Sequence, residues 1–261
     1  MRILVTNDDG IDSEGIHELA RALAGTGHEI VVVAPSSDWS GAGAALGNLR
    51  PDSALGVASA RIPDGDGIEA WAFDGPPALC VVAGRLGAFG ELPDLVVSGI
   101  NQGGNLGHDI TYSGTVAGAM EAVVGGIPSI AVSLDAREWS DFCAVTDVVV
   151  SLARRILADG LPTNTFLNVN APPLPSDEVK GVLVTRLGQR VYRDVLVERE
   201  DPQGRPYFWI GGEPPTGIVE DGTDYGAVAR GYISVTPLSM DMTDVKFMQQ
   251  LGQWLAVNSS Q

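Results

Sequence analysis

Short apolar runs alternate with stretches in which apolar residues recur every three or four positions, and this alternation holds for most of the chain. Arg2–Thr6 is an apolar run that stops at Asn7-Asp8-Asp9-Gly10, which predicts a strand ending in a turn. Ile16, Leu19, Ala20 and Leu23 follow at helical spacing, and the glycines at 25 and 27 end that helix. Glu29–Ala34 predicts a second strand, closed by Pro35, and a loop of small and polar residues covers Ser36–Asn48. Weaker strand patterns lie at Gly56–Ile62 and Gly67–Phe73. The pattern then predicts a helix over Ala78–Phe89, a buried strand over Asp94–Val97 and a loop over Ser98–Tyr112. Thr115–Val124 is apolar on nearly every face and predicts a buried helix. Ser129–Ser133 and Thr165–Asn170 predict strands on either side of a helix at Trp139–Leu157.

Short apolar strands separated by helices predict an α/β fold with a doubly wound, mostly parallel, Rossmann-like sheet. After Pro172 the texture changes. Val182–Leu187, Val191–Glu198, Pro206–Ile210 and Tyr232–Pro237 alternate like antiparallel strands, and Thr243–Val257 is an amphipathic helical pattern. This reading divides the chain into a core over 1–172 and a β-rich extension with a terminal helix over 173–261. There is no internal repeat and no low-complexity segment.

Composition narrows the function classes. The 261 residues carry a formal charge of −17, which works against binding a nucleic-acid duplex or an anionic membrane surface, since both are held mainly by Lys and Arg. With 44% hydrophobic and 19% charged residues, the chain can bury a sizeable core. Two distant cysteines, Cys80 and Cys143, exclude a disulfide framework and favour a reducing compartment. His17, His28 and His108 are too scattered for a zinc cluster. The MRILVTNDDG start lacks the apolar region of a signal peptide, and no apolar run reaches membrane-spanning length. A cytoplasmic protein is expected.

Ligands of open α/β sheets bind at the carboxyl ends of the strands, where three loops carry chemistry. In Asn7-Asp8-Asp9-Gly10, two adjacent carboxylates follow a buried strand, an arrangement that calls for a cation or for solvent screening. Oxygen ligands favour Mg2+, Mn2+ or Ca2+ over zinc, while a solvated Asp-Gly turn is the plainer alternative. The second loop offers the Ser40 hydroxyl beside the bare backbone of Gly41 and Gly43, or is simply a flexible loop. It is no dinucleotide fingerprint, because the third glycine of G-x-G-x-x-G would fall at Leu46. The third loop places Asn101 and Asn105 among glycines, followed by Ser113-Gly114-Thr115 at the start of the buried helix. A helix start binds anions, and Ser113 can cap it at the same time. A cation site and an anion site on one sheet edge suit metal-assisted hydrolysis of a phosphate ester.

These motifs resemble those of the SurE (survival protein E) family of 5′-nucleotidases and phosphatases. Asn7–Gly10, Trp39-Ser40-Gly41-Ala42, Val97–Gly107 and Tyr112–Glu121 carry the likeness, which continues through Ala131–Asp135, Leu167–Pro172, Tyr207–Gly211 and Gly222–Leu238. The resemblance implies that Asp8, Asp9, Ser40 and Asn101 bind one divalent ion, Mg2+ or Mn2+. It implies that Asn105, Ser113, Gly114 and Thr115 hold the phosphate of a small phosphomonoester. It further implies a homodimer or homotetramer built through the C-terminal hairpin and helix. Asp8 and Asp9 are the catalytic candidates, one of them as general base or nucleophile. Trp39, where the family usually has Arg, Ala44-Ala45, His108 and Arg137 depart from the family pattern and bear on substrate preference.

Two other functions fit parts of the pattern: a nucleotide- or phosphate-binding protein without catalysis, and a phosphatase for a non-nucleotide ester. An NAD- or flavin-dependent oxidoreductase has only the sheet type in its favour. Cys80 and Cys143 read as small core residues, His17 and His28 as surface or capping groups. Trp71, Trp139, Trp209 and Trp254 read as core or interface anchors. Trp39, next to Ser40, is a candidate for stacking on a base or for ordinary loop packing.

Overall fold

A computed structural model describes residues 1–47, 54–136 and 141–258. In chain order the elements are β1 (Arg2–Thr6), α1 (Glu14–Ala24), β2 (Glu29–Pro35), β3 (Val57–Ala60), β4 (Glu69–Phe73), α2 (Pro77–Arg85) and β5 (Leu95–Gln102). Next come α3 (Gly114–Val124), β6 (Ser129–Leu134), α4 (Cys143–Asp159), β7 (Thr165–Ala171), β8 (Val182–Val184) and β9 (Arg190–Glu200). The chain closes with β10 (Pro206–Gly217), α5 (Asp224–Ala229), β11 (Ile233–Ser239) and α6 (Val245–Asn258). Trp139, Arg137 and Asn48, named above, lie outside the described residues.

Nine strands form one sheet in the order β3-β4-β2-β1-β5-β6-β7-β11-β8. The run from β4 through β7 is parallel, and β3 and β11 add antiparallel to its two sides. Successive side chains of a strand alternate between faces. Ile3 and Val5 therefore point into one core with Ile16, Leu19 and Leu23 of α1 and Val145, Val149 and Ile156 of α4. Leu4, Val31 and Val33 point into the opposite core with Leu79, Cys80 and Val81 of α2 and Ala122 of α3. Each such fully buried aliphatic side chain contributes roughly 1.5–3 kcal/mol. The chain passes from β1 to β2 on one side and later places β5 on the other, so the strand order reverses at β1. Ligand sites of open sheets lie at such a reversal.

Three elements differ from the sequence expectation for physical reasons. β5 continues to Gln102 where a loop from Ser98 was expected. Ser98, Gly99 and Asn101 are turn-forming residues, but Ser98 is paired with both β1 and β6, and the ladder to β6 resumes at Asn101 after a register slip. Gly99 adopts φ +141°, and a Cβ there would run into the Val132 carbonyl. After Pro172 the sheet goes on: β11 pairs with β7, and β8 pairs parallel to β11. Alternation alone does not say which partner a strand takes. Only β9 and β10 form a separate antiparallel ribbon, with Pro214-Pro215 at its bulge, where two missing donors do least harm. Cys80 is buried as expected, whereas Cys143 is exposed, because it lies with Asp147 on the outward side of α4 while Val145 and Val149 face the core. Among the described residues no helix is long and apolar enough to cross a membrane.

The ribbon and α6 leave large apolar side chains in solvent: Trp209 is 58% exposed, Ile210 74% and Trp254 54%. At the other extreme, α1 packs on β5 so closely that a Cβ on Gly15 would overlap the Ile100 carbonyl oxygen. Gly15→Ala must push helix and strand apart. It is expected to destabilise the protein by about 1–3 kcal/mol, read as a lower urea midpoint at unchanged m-value.

Candidate active site

The turn after β1 is built by Asn7, whose buried amide donates to the Gly10 carbonyl at 2.9 Å and to Ser13 Oγ at 2.7 Å. These bonds leave Asp8 and Asp9 at the strand exit. Asp8 is buried against the start of α3, where the Thr115 hydroxyl donates to its Oδ1. Gly114 makes that approach possible, since a Cβ there would lie 2.7 Å from the Asp8 Cβ. Asp9 is half-buried, and its Oδ2 accepts the Gln102 backbone N–H at 3.4 Å.

The loop after β2 is tied to both neighbours. The Trp39 N–H donates to the Asp8 carbonyl at 2.8 Å, and the Gly43 N–H to the Tyr112 carbonyl at 3.0 Å. Gly43 has φ +56°, and a Cβ there would sit 2.9 Å from the Thr111 carbonyl oxygen. Ser40 gives its hydroxyl proton to Asp38 at 2.6 Å, which leaves the Ser40 oxygen lone pairs for another partner. These Ser40 bonds also hold the Asp38 carboxyl below its ordinary range.

The third loop depends on residues far along the chain. The Asn101 amide donates to the Gly103 carbonyl at 2.7 Å, so its Oδ1 is the atom left to a ligand. The Asn105 backbone is held on both sides: its N–H donates to Asn170 Oδ1 at 2.8 Å, and its carbonyl accepts from Asn168 and Asn170. The Asn105 side chain donates to Ser133 at 2.8 Å. A 3-10 turn over Gly107–Thr111 leads to α3, whose N-cap is Ser113, its oxygen accepting from the Val116 N–H at 3.1 Å.

Asp8, Ser40, Asn101, Asn105 and Ser113 thus line one open cavity of about 550 Å3, with Asp9 beside it and Gly114 and Thr115 behind Asp8. The candidate metal and phosphate residues gather at the ends of β1, β2 and β5 and at the start of α3. Two details refine the expectation. The Thr115 hydroxyl is spent on Asp8 rather than facing the cavity. Trp39 is not part of the wall; the aromatic rings there are Tyr112 and Tyr192. The supporting residues Ser133, Asn168 and Asn170 were missed, although two asparagines spaced by two on a buried strand are a visible signal for one polar edge.

Burial and then the neighbouring Asp8 charge push the Asp9 carboxyl up to about 6. Burial likewise raises Asp8, against the lowering effect of the Thr115 hydrogen bonds. Among the described residues no three His, Cys, Asp or Glu converge as a metal site. A cation here would need the neutral oxygens of Ser40 and Asn101 beside the two carboxylates. That donor set, all oxygen with a surplus of negative charge, fits a hard divalent ion.

A family model described as survival protein SurE matches residues 3–194. The chain belongs to the SurE family. It is 47% identical to a protein named 5′-nucleotidase SurE from Herpetosiphon aurantiacus, over 97% of each chain. A protein of the same name from Chloroflexus aggregans is 46% identical, over 97% of this chain and 99% of its own. Among solved structures, the SurE protein from Aquifex aeolicus superposes with a TM-score of 0.81 at 43% identity, covering 97% of this chain and 99% of that one. The SurE match stops at Asp194, inside β9, so the second strand of the ribbon and α6 lie beyond it.

The raised Asp9 group makes a prediction for the metal-free protein. The folded state holds this proton more tightly than the unfolded chain, whose ordinary value is 3.8. Its contribution is therefore full below that value and is lost as pH rises through about 6. Thermal melts in EDTA are expected to show this fall, and Asp9→Asn to remove it from the difference profile. Parallel profiles for the two proteins would contradict the assignment.

Proposed function

We propose that this chain is a divalent-metal-dependent phosphatase that hydrolyses nucleoside 5′-monophosphates to nucleoside and phosphate. The observation that carries the reading is the convergence of Asp8, Ser40 and Asn101, from three strand ends, on a cavity that also reaches Ser113 at the start of α3. The names of the curated relatives point the same way.

Asp8, Asp9, Ser40 and Asn101 would hold Mg2+ or Mn2+. A bound ion of this kind supplies electrophilic activation of a phosphoryl oxygen and a lowered pKa for a coordinated water. Asp8 is the fixed member of the pair, immobilised by Thr115. Asp9 is the looser one, held by a single long hydrogen bond from Gln102. The start of α3 brings backbone N–H groups and the positive end of the helix dipole to the phosphate. Asn105 adds a donor when its amide turns by half a rotation and the Ser133 hydroxyl donates in its place. Tyr112 at the rim would flank the leaving nucleoside.

Phosphate release from nucleoside monophosphates is expected with Mg2+ or Mn2+ and is expected to stop in EDTA. Asp8→Ala and Asp9→Ala are each expected to lower kcat/KM by on the order of a hundredfold or more. Metal-independent turnover, or full activity in these variants, would refute the reading.

The exposed apolar side chains of the β9–β10 ribbon and α6 support assembly of this chain into a homodimer or homotetramer. Light scattering after size exclusion is expected to give one of these masses, and a single-protomer mass would count against it. Two unpaired cysteines suit a reducing compartment, and we place the protein in the cytoplasm.

A further inference from the structure

The Gly107–Thr111 turn, which delivers Tyr112 and Ser113 to the cavity, is gripped from outside by the chain that follows β8. Asp109 sits in this turn and in the cavity wall. Its Oδ2 accepts from Arg190 Nε at 2.9 Å, and its Oδ1 accepts from the Tyr192 hydroxyl. Arg190 is itself fixed, with its guanidinium 5.3 Å from the centre of the Tyr225 ring. Beneath this contact, the buried Asp224 carboxylate accepts the Gly107 N–H at 2.8 Å and the Gly188 N–H at 2.7 Å. It thus staples the turn to the root of the ribbon. Gly107 has φ +57°, and a Cβ there would lie 2.7 Å from the Gly188 carbonyl oxygen.

From Asp109 the contacts run straight into the site. Its carbonyl accepts the Tyr112 N–H at 2.9 Å, and the Tyr112 carbonyl accepts the Gly43 N–H of the Ser40 loop at 3.0 Å. The Asp109–Arg190 pair is largely buried on both sides, at 19% and 11% exposure. A buried ion pair gives little net stability, because desolvation offsets the attraction, but it holds its two groups in one geometry. Resting on the phosphatase reading, we propose that Arg190 and Tyr192 are positioning residues for the reaction. Through Asp109 they set the turn that aims Ser113 and the start of α3 at the phosphate.

The test compares Tyr192→Phe, Arg190→Met and Arg190→Lys with the wild type, using the full chain with Mn2+. Tyr192→Phe removes one oxygen from a ring that is exposed at the surface, so the fold is kept. Both it and Arg190→Met are expected to lower kcat by about tenfold or more. KM for the nucleotide should stay within about twofold. Vanadate affinity, measured by calorimetry, should fall with kcat, because a geometric fault at the phosphate weakens a transition-state mimic in step with the rate. Arg190→Lys, which keeps a donor for Asp109, should recover part of the loss.

Unchanged kcat and vanadate affinity in Tyr192→Phe and Arg190→Met would overturn the proposal. So would a loss confined to the melting temperature. A loss seen in KM for nucleotides but absent with p-nitrophenyl phosphate would overturn it too, by placing these residues on the leaving group. If the wild type binds vanadate but turns nothing over, the phosphatase reading fails, and the variants' vanadate affinities still decide this one. A wild type that binds neither vanadate nor phosphate would overturn both.

Discussion

Asp8 and Asp9 leave a strand that is buried along its whole length, and the two carboxylates then share one poorly hydrated corner. Burial raises the proton affinity of both, and the Asp8 charge raises that of Asp9 further. Holding such a pair is an electrostatic expense, and the surroundings are organised around it. Asn7 turns inward to brace the backbone beneath the pair. Thr115 gives its hydroxyl to Asp8, and the positive end of α3 faces the same carboxylate. These donors offset part of the charge of Asp8 but do little for Asp9. The surplus points outward, toward the oxygens of Ser40 and Asn101, and a hard cation is the partner that would remove it.

Bringing a helix start against a carboxylate also demands an absence of side chains. Gly114 allows α3 to meet Asp8, and Gly118, one turn later, lets the helix rest on the central strands, where a Cβ would lie 2.8 Å from Ser98 Oγ. Gly15 does the same for α1 against Ile100 on the opposite face of the sheet. Glycine inside a helix is unfavourable by about 1 kcal/mol relative to alanine. Its repeated use here marks places where distance matters more than helix propensity. The same close packing explains why α3 is apolar on nearly every side: it is wedged between the sheet, α2 and the site.

Most of the core strands were legible in the sequence because each is a short apolar run bounded by turn residues, as in Arg2–Thr6 before Asn7-Asp8-Asp9-Gly10. The site was legible because its polar residues sit at the ends of those runs. Ser98–Gln102 was not, because serine, glycine and asparagine carry the same local signal in a loop as in an irregular buried strand, and only neighbours on both sides decide. Cys143 misled for a similar reason, since an apolar helical pattern does not say which side of the helix a small residue at its start will take. The partners of β8 and β11 were hidden too, since the long β9–β10 ribbon separates them in sequence and alternation carries no address. Thr115 looked like a phosphate ligand from its place in the motif, yet its hydroxyl faces Asp8.

The supports of the Gly107–Thr111 side of the cavity reach furthest along the chain. Gly107 and Asp224 are 117 positions apart, and Asp109 and Tyr192 are 83 apart. Closing loops of that length carries an entropic penalty that grows only slowly with length, so distance along the chain is no obstacle once the sheet has formed. The order of assembly still matters. The corner of Asp8 and Asp9 needs β1, β2, β5 and α3. The Gly107–Thr111 turn needs α5 and the root of the ribbon, which come to rest only when β11 pairs with β7 and β8 with β11. The Asp8–Asp9 side of the cavity belongs to the core of the sheet, and the Gly107–Thr111 side is completed by the chain beyond it. The extension therefore holds one wall of the cavity through Tyr192 and Asp224.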